Sequence, residues 1–180
     1  MIDFPMTVHY LEIFSRENIN RKLVVQTDLK IIQVREPDPA FAQWLYRTVG
    51  KEWYWVDRYY WSLNEWEEWV SNSCISLWIM ELLGKPIGFY MLDPQDNNNV
   101  EVSYFGLLPG YLGSGLGGHL LTNALDDAFS MGASRVWLHT CSLDHPYALS
   151  NYEARGMNVY KVEDDLQHIP DGWPIPDLRG

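Results

Sequence analysis

Between residues 113 and 118 the chain reads Gly-Ser-Gly-Leu-Gly-Gly, and His-Leu-Leu follows at once. Four glycines in six residues, set against a leucine-rich run, leave few choices of local structure. A helix start exposes unpaired N–H groups and the positive end of its peptide dipoles. Glycines there let main-chain amides approach a phosphate with no Cβ in the way. The spacing predicts a helix from about Leu116 to Met131, with Leu120, Leu121, Ala124, Leu125, Ala128 and Phe129 on its apolar face and Gly132 as its stop. Gly113, Gly115 and Gly118 also match G-x-G-x-x-G, a pattern found at dinucleotide sites. That reading wants the glycines directly after a strand and an acidic residue about 20 positions on. Here Pro109-Gly110-Tyr111-Leu112 intervenes, and the next strand ends in His139-Thr140-Cys141. A turn that grips some other diphosphate fits better.

The flanking segments frame that turn. Residues 6–14 and 22–34 carry β-branched residues in partial alternation and are expected as strands. Phe41, Trp44, Leu45 and Val49 have helical spacing that ends at Gly50. Trp61, Trp66, Trp69 and Val70 repeat it, with Ser62 as N-cap and Glu65 three residues on. Residues 75–93 read as two strands joined at Gly84-Lys85-Pro86, 93–99 as a loop, 100–108 and 135–141 as strands. A short helix over 145–156, capped by Asp144, precedes a last strand at 157–163. This order predicts an α/β fold, a mixed central β-sheet flanked by helices. The 180 residues are expected as one domain, with an N-terminal extension over about 1–29 and an irregular, proline-rich tail over about 168–180.

Charge narrows the partners. A net charge of −11 repels phosphate backbones, so no nucleic acid is expected, and cationic amines are weakly favoured. No apolar run reaches the ~20 residues of a membrane helix, and the first residues lack signal-peptide character, so a cytoplasmic location is expected. Two cysteines, Cys74 and Cys141, argue against a disulfide framework or a cysteine-rich zinc site, and no metal is expected.

Two motifs in order carry a resemblance. Val100 to Pro109, followed by Gly113-Ser114-Gly115-Leu116-Gly117, resembles the acetyl-CoA-binding segment of the GNAT N-acetyltransferase superfamily. Tyr152-Glu153-Ala154-Arg155-Gly156-Met157 resembles that family's Y-x-x-x-G-F signature, with Met157 in place of Phe. The match is specific over about residues 87–163. The resemblance implies the acyl-CoA N-acyltransferase fold and acetyl-CoA as acetyl donor. It implies that amides of Gly113, Ser114, Gly115, Leu116, Gly117 and Gly118 hold the pyrophosphate. Phe105, Gly106 and Leu107 would pair with the pantetheine arm like an added strand, Gly106 suiting a bulge. Leu112 stands where the family has Arg or Gln, and the turn has no basic residue; His119 is either a phosphate contact or a solvated helix residue. His145 stands where an asparagine often begins the last helix.

Acetyl transfer to an amine requires a base, a polarised thioester and a protonated leaving thiolate. Glu101 matches the general-base position of the histone-acetyltransferase branch; the alternative is a solvent-facing strand residue. Tyr152 falls where the family's tyrosine lies near the coenzyme sulfur, as acid to the thiolate, or is a packed helix residue. His139 and Cys141 end a strand aimed at the same cleft, as lining or relay, or as buried and inert groups. Six of nine tryptophans lie between Trp44 and Trp69. Within this cluster Trp53, Trp55 and Tyr59 are candidates for the acceptor mouth through cation–π contacts, the alternative being a core or dimer surface. Glu52 and Asp57 would greet a positive substrate. The expected function is acetyl transfer from acetyl-CoA to a primary amine of a small molecule, peptide or protein. An acyl-CoA-binding sensor, a dinucleotide-binding oxidoreductase and a homodimer stay open.

Overall fold

The run Phe89-Tyr90-Met91-Leu92 sets the layering of the molecule. Consecutive strand residues point to opposite faces, so an unbroken apolar run needs cover on both. A computed structural model, which describes residues 1–71 and 74–174, supplies that cover. Phe89 and Met91 pack with Leu45, Tyr46 and Trp66; Tyr90 and Leu92 pack with Leu120, Leu121 and Leu125.

In chain order the elements are β1 (Ile2–Ile13), β2 (Leu29–Val34), α1 (Pro39–Gly50), α2 (Leu63–Val70), β3 (Ser76–Leu82), β4 (Lys85–Gln95), β5 (Asn99–Leu107), α3 (Gly117–Ser130), β6 (Arg135–Cys141), α4 (Ala148–Ala154) and β7 (Asn158–Ile169). Among the described residues the strands form one sheet in the order β2-β3-β4-β5-β6-β1-β7. The pairs are antiparallel except β5 with β6. Helices α1 and α2 feed one core layer, α3 the other. This is the mixed, helix-flanked sheet expected. Local chemistry explains the helix starts: the Asp38 carboxylate accepts from the Ala40 and Phe41 amides ahead of α1. Ser62 and Glu65 form a reciprocal capping box at α2.

One pairing stops early. Strands β5 and β6 are joined only over Asn99–Glu101 and Arg135–Trp137, and both then continue unpaired with each other. A bulge in β5 sits beside the parting point. Met91 faces Tyr104 whereas Leu92 faces Val102, so Ser103 is the extra residue, and its hydroxyl donates to the Met91 carbonyl at 3.4 Å. The bulge is therefore three residues before Gly106. Gly106 serves helix packing instead: a Cβ there would lie 2.5 Å from Val49 Cγ1 of α1.

Several boundaries differ from expectation. The first residues are no mere extension, because β1 lies between β6 and β7 and pairs with both. Of residues 22–34 only Leu29–Val34 are a strand. Residues 93–95 belong to β4; the turn is at Asp96–Asn98, where Asn97 and Asn98 take left-handed φ of 60° and 55°. Strand β7 runs to Ile169, opposite Ile2, so the tail begins later; residues 175–180 of it lie outside the described residues. Asp144 does not cap α4, which starts at Ala148 with no side-chain cap.

Leu120 of α3 is fully buried against the sheet. Leu120→Ala removes that apolar volume and is expected to cost about 2–5 kcal/mol, read as a lower denaturant midpoint at unchanged slope.

Candidate functional site

Where β5 and β6 part, a cavity of about 870 Å³ opens. Its walls are β5 from Glu101 to Leu107, the β6 residues Leu138, His139 and Cys141, the glycine turn, α4, and the loop from Trp53 to Arg58. Met6, Val8 and Tyr10 of β1 and residues 165–168 of β7 close the far side.

At one end is the glycine turn. Gly113 and Gly115 have φ of 74° and 79°, the left-handed region that a Cβ strains, so glycine is required. The Ser114 amide donates to the Tyr111 carbonyl at 3.3 Å, and the Ser114 hydroxyl accepts from the Leu116 amide at 3.4 Å. The Leu116 side chain enters the core, and at the N-cap of α3 it offers no side-chain acceptor. The first-turn amides of Gly117 and Gly118, which line the cavity, stay available to an anion. Leu112 lines the same wall. Phe105, Gly106 and Leu107 lie beyond the last β5–β6 pair, so their cavity-side edge has no strand partner.

Carboxylates occupy the other end. Glu101 is mostly buried, with a side-chain exposure of 15%. Its Oε2 accepts from Gln95 at 2.9 Å, and its Oε1 lies 3.7 Å from His139 Nδ1. Gln95 is held in turn by the Trp137 indole at 3.0 Å. Burial pushes the Glu101 carboxyl above its ordinary range; His139, the Gln95 hydrogen bond and Arg58 oppose that, while Asp93 adds to it. Asp93 stands directly across from Glu101 on β4, and burial raises it also. Directly opposed residues bring their Cβ atoms to about 4.5–5.5 Å, so the two carboxylates share one patch.

Arg58 sits beside this pair in an aromatic cage. Its guanidinium lies 4.7 Å from the ring centres of Trp61 and Trp69 and 5.3 Å from that of Tyr104, and it donates to the Tyr104 hydroxyl. Much of the tryptophan cluster therefore packs α1, α2 and this cation. Trp53 and Trp55 do line the cavity; Trp53 lies edge-on to His145, and the Trp55 indole donates to Asp144 at 3.4 Å. Tyr59 does not take the expected place. Its carbonyl is held by Arg47 at 2.9 Å and its ring lies edge-on to Trp173, away from the cavity wall. Asp57 lines the cavity, and His145, which does so too, accepts from the Tyr147 amide at 3.1 Å.

Tyr152 of α4 is buried, edge-on to Phe105 with ring centres 5.9 Å apart. Burial, then Asp144 and Cys141, raise its phenol, so it remains a proton donor. Burial pushes the Cys141 thiol up to about 12, so at neutral pH it is no nucleophile. The structure thus gathers Glu101, His139, Tyr152 and the glycine turn around one space. Sequence reasoning missed Asp93 and Asn151 of α4, whose amide nitrogen faces Gly117. Asp93 ends the strand stretch 75–93 and opens the expected loop 93–99, so the sequence alone marks no role for it.

The comparisons with known proteins agree with this geometry. Residues 39–157 match the sequence profile of the acetyltransferase (GNAT) family. An uncharacterized N-acetyltransferase of Mycobacterium tuberculosis is 32% identical over 83 residues, which is 44% of this chain and 53% of the relative. The chain thus spans about half the length of the curated relatives it matches. Among solved structures, a GCN5-related N-acetyltransferase from Kribbella flavida superimposes with a TM-score of 0.63 at 16% identity, over 93% of this chain and 61% of that one. An aminoglycoside acetyltransferase from an uncultured soil metagenomic sample, in complex with sisomicin, gives 0.58 at 18% identity, over 71% and 87%.

The raised Glu101 pKa carries a stability signature. A carboxyl held high in the folded state contributes stability below its unfolded value and loses it as pH rises through the folded value. Glu101→Gln, neutral at every pH, is expected to melt with wild type at about pH 4 and above it at about pH 8. Each kcal/mol recovered adds roughly 2–4 °C in a thermal melt.

Proposed function

Because the chain belongs to the acetyltransferase (GNAT) family, we propose that it transfers an acetyl group from acetyl-coenzyme A to a primary amine by direct attack. The observation that carries this is the parting of β5 and β6, which leaves one free strand edge leading from the glycine turn toward Glu101. The residues fit the donor: glycine-turn amides suit a diphosphate, and the free edge of Phe105–Leu107 suits the amides of a pantetheine arm. In this reading Asn151 and His145 flank the donor on the α4 side.

Glu101 takes a proton from the incoming ammonium, directly or across His139. The amine nitrogen then forms its bond to the thioester carbonyl carbon, and the carbon–sulfur bond breaks. Tyr152, held protonated, gives its proton to the departing thiolate and regains one from the nitrogen, which sheds its second proton as it becomes an amide. Asp93 and Asp57 make the acceptor end negative, which draws a cationic amine, and the faces of Trp53 and Trp55 add cation–π attraction. Gln167 of β7 donates to the Tyr54 carbonyl at 3.4 Å, tying the loop to the sheet over the cavity. This roof suits a slender amine, as on a small molecule or an extended peptide end. The cytoplasm is the proposed setting.

Incubation with acetyl-CoA and an amine panel, read by mass spectrometry, should yield an N-acetylated amine with free thiol. Glu101→Gln should keep acetyl-CoA affinity by calorimetry yet lower kcat/KM by about 10²–10⁴-fold. The acid limb of the pH profile should vanish with it. Binding without transfer to any amine would favour the sensor reading, and no binding would end the proposal.

A further inference from the structure

The glycine turn from Leu112 to Gly118 has no basic residue, in a chain where 13 Lys and Arg face 24 Asp and Glu. Yet two cations lie against it in space. Residues 20–24, which are neither helix nor strand, cross the start of α3 as a strap. The Asn20 amide donates to the Arg155 carbonyl at 3.0 Å, and the Asn20 side chain to the Ala154 carbonyl at 2.9 Å. The Lys22 amide donates to Thr122 Oγ1 at 3.0 Å; that fully buried hydroxyl donates in turn to the Gly118 carbonyl at 2.7 Å. The Val24 amide donates to His119 Nδ1 at 3.1 Å. His119 is therefore a fastener with its Nδ1 lone pair engaged, and desolvation holds its pKa down, so it brings no charge to a phosphate.

These bonds lay Lys22 over the turn. A Cβ built on Gly118 would meet Lys22 Cδ at 2.7 Å and collide with the Arg155 guanidinium. Gly118 is bare so that both can approach. Lys22 lines the cavity together with Leu112, Gly113, Gly115 and Gly117. Arg16, ahead of the strap, and Arg21, within it, both pair with Asp126, whereas among the described residues Lys22 and Arg155 enter no ion pair. Arg155 Nε is buried with no hydrogen-bond partner.

We propose that Lys22 is the cation that holds the 5′-diphosphate of coenzyme A, with Arg155 behind it. It supplies from the strap the charge that residue 112 does not. This rests on the acetyl-CoA reading above. Lys22 lies outside the 39–157 segment that matches the family profile, so the assignment belongs to this chain. Thr122 is a positioning residue, acting only through Lys22.

Calorimetry of the full chain with coenzyme A, dephospho-coenzyme A and pantetheine tests it. Lys22→Gln should weaken both nucleotide ligands by the same ~10–100-fold and leave pantetheine unchanged, because a charge-assisted contact to the diphosphate is lost. Lys22→Arg should restore most of the affinity. Thr122→Val should weaken coenzyme A in the wild-type background but add nothing to Lys22→Gln. Unchanged affinity in Lys22→Gln overturns the proposal. A loss confined to coenzyme A, absent with dephospho-coenzyme A, assigns Lys22 to the 3′-phosphate and overturns it as well. Failure of the wild-type chain to bind coenzyme A fells the acetyl-CoA reading itself, an outcome distinct from failure of the variant alone.

Discussion

The parting of β5 from β6 after Glu101 is the constraint on which the rest of this structure depends. A paired sheet would satisfy its own N–H and C=O groups and leave no space between these strands. Once they separate, each edge needs another partner, and everything around the gap keeps them apart. The extra residue Ser103 turns β5, Val49 wedges against Gly106, and β1 holds β6 from its other side. The result is a cavity with main-chain donors at one end and ionisable side chains at the other.

Electrostatics divides the same cavity. The chain is acidic as a whole, and its carboxylates Asp93 and Glu101 are opposed on neighbouring strands. Burial raises the proton affinity of both carboxylates, Asp93 adds to that of Glu101, and Arg58 moderates the pair from its cage of rings. An amine entering there would meet negative charge, while an anion at the other end would meet helix amides, Lys22 of the strap and Arg155 at the end of α4. On the proposed reading, one space would sort an amine and an acyl donor by sign.

Local chemistry was legible in the sequence, and long-range placement was not. Glycines before an apolar helical face announced the turn at α3, and Ser62 with Glu65 announced α2, because both signals act within a few residues. The alternation that marked residues 6–14 as a strand says nothing about its neighbours, so β1 read as an extension although it sits inside the sheet. Proline at 94 and the asparagines after it look like one long loop, so the sequence leaves Asp93 at a strand's end and does not bring it opposite Glu101. Lys22 was the hardest case. It meets Gly118 across nearly a hundred residues through a segment whose β-branched residues and partial alternation suggest a strand, although residues 20–24 form none. The glycine turn carried a shortage of charge that only tertiary structure could show being met.

The place of β1 also governs how such a chain leaves the ribosome. It is synthesised well before its partners β6 and β7, which follow only from Arg135 and Asn158 onward. Until they emerge, a strand carrying Val8, Leu11 and Ile13 has both edges unpaired, the kind of surface that recruits other chains. Its sheet closes last, when Ile169 reaches Ile2. A chain of this topology therefore carries an unpaired inner strand until β6 and β7 arrive.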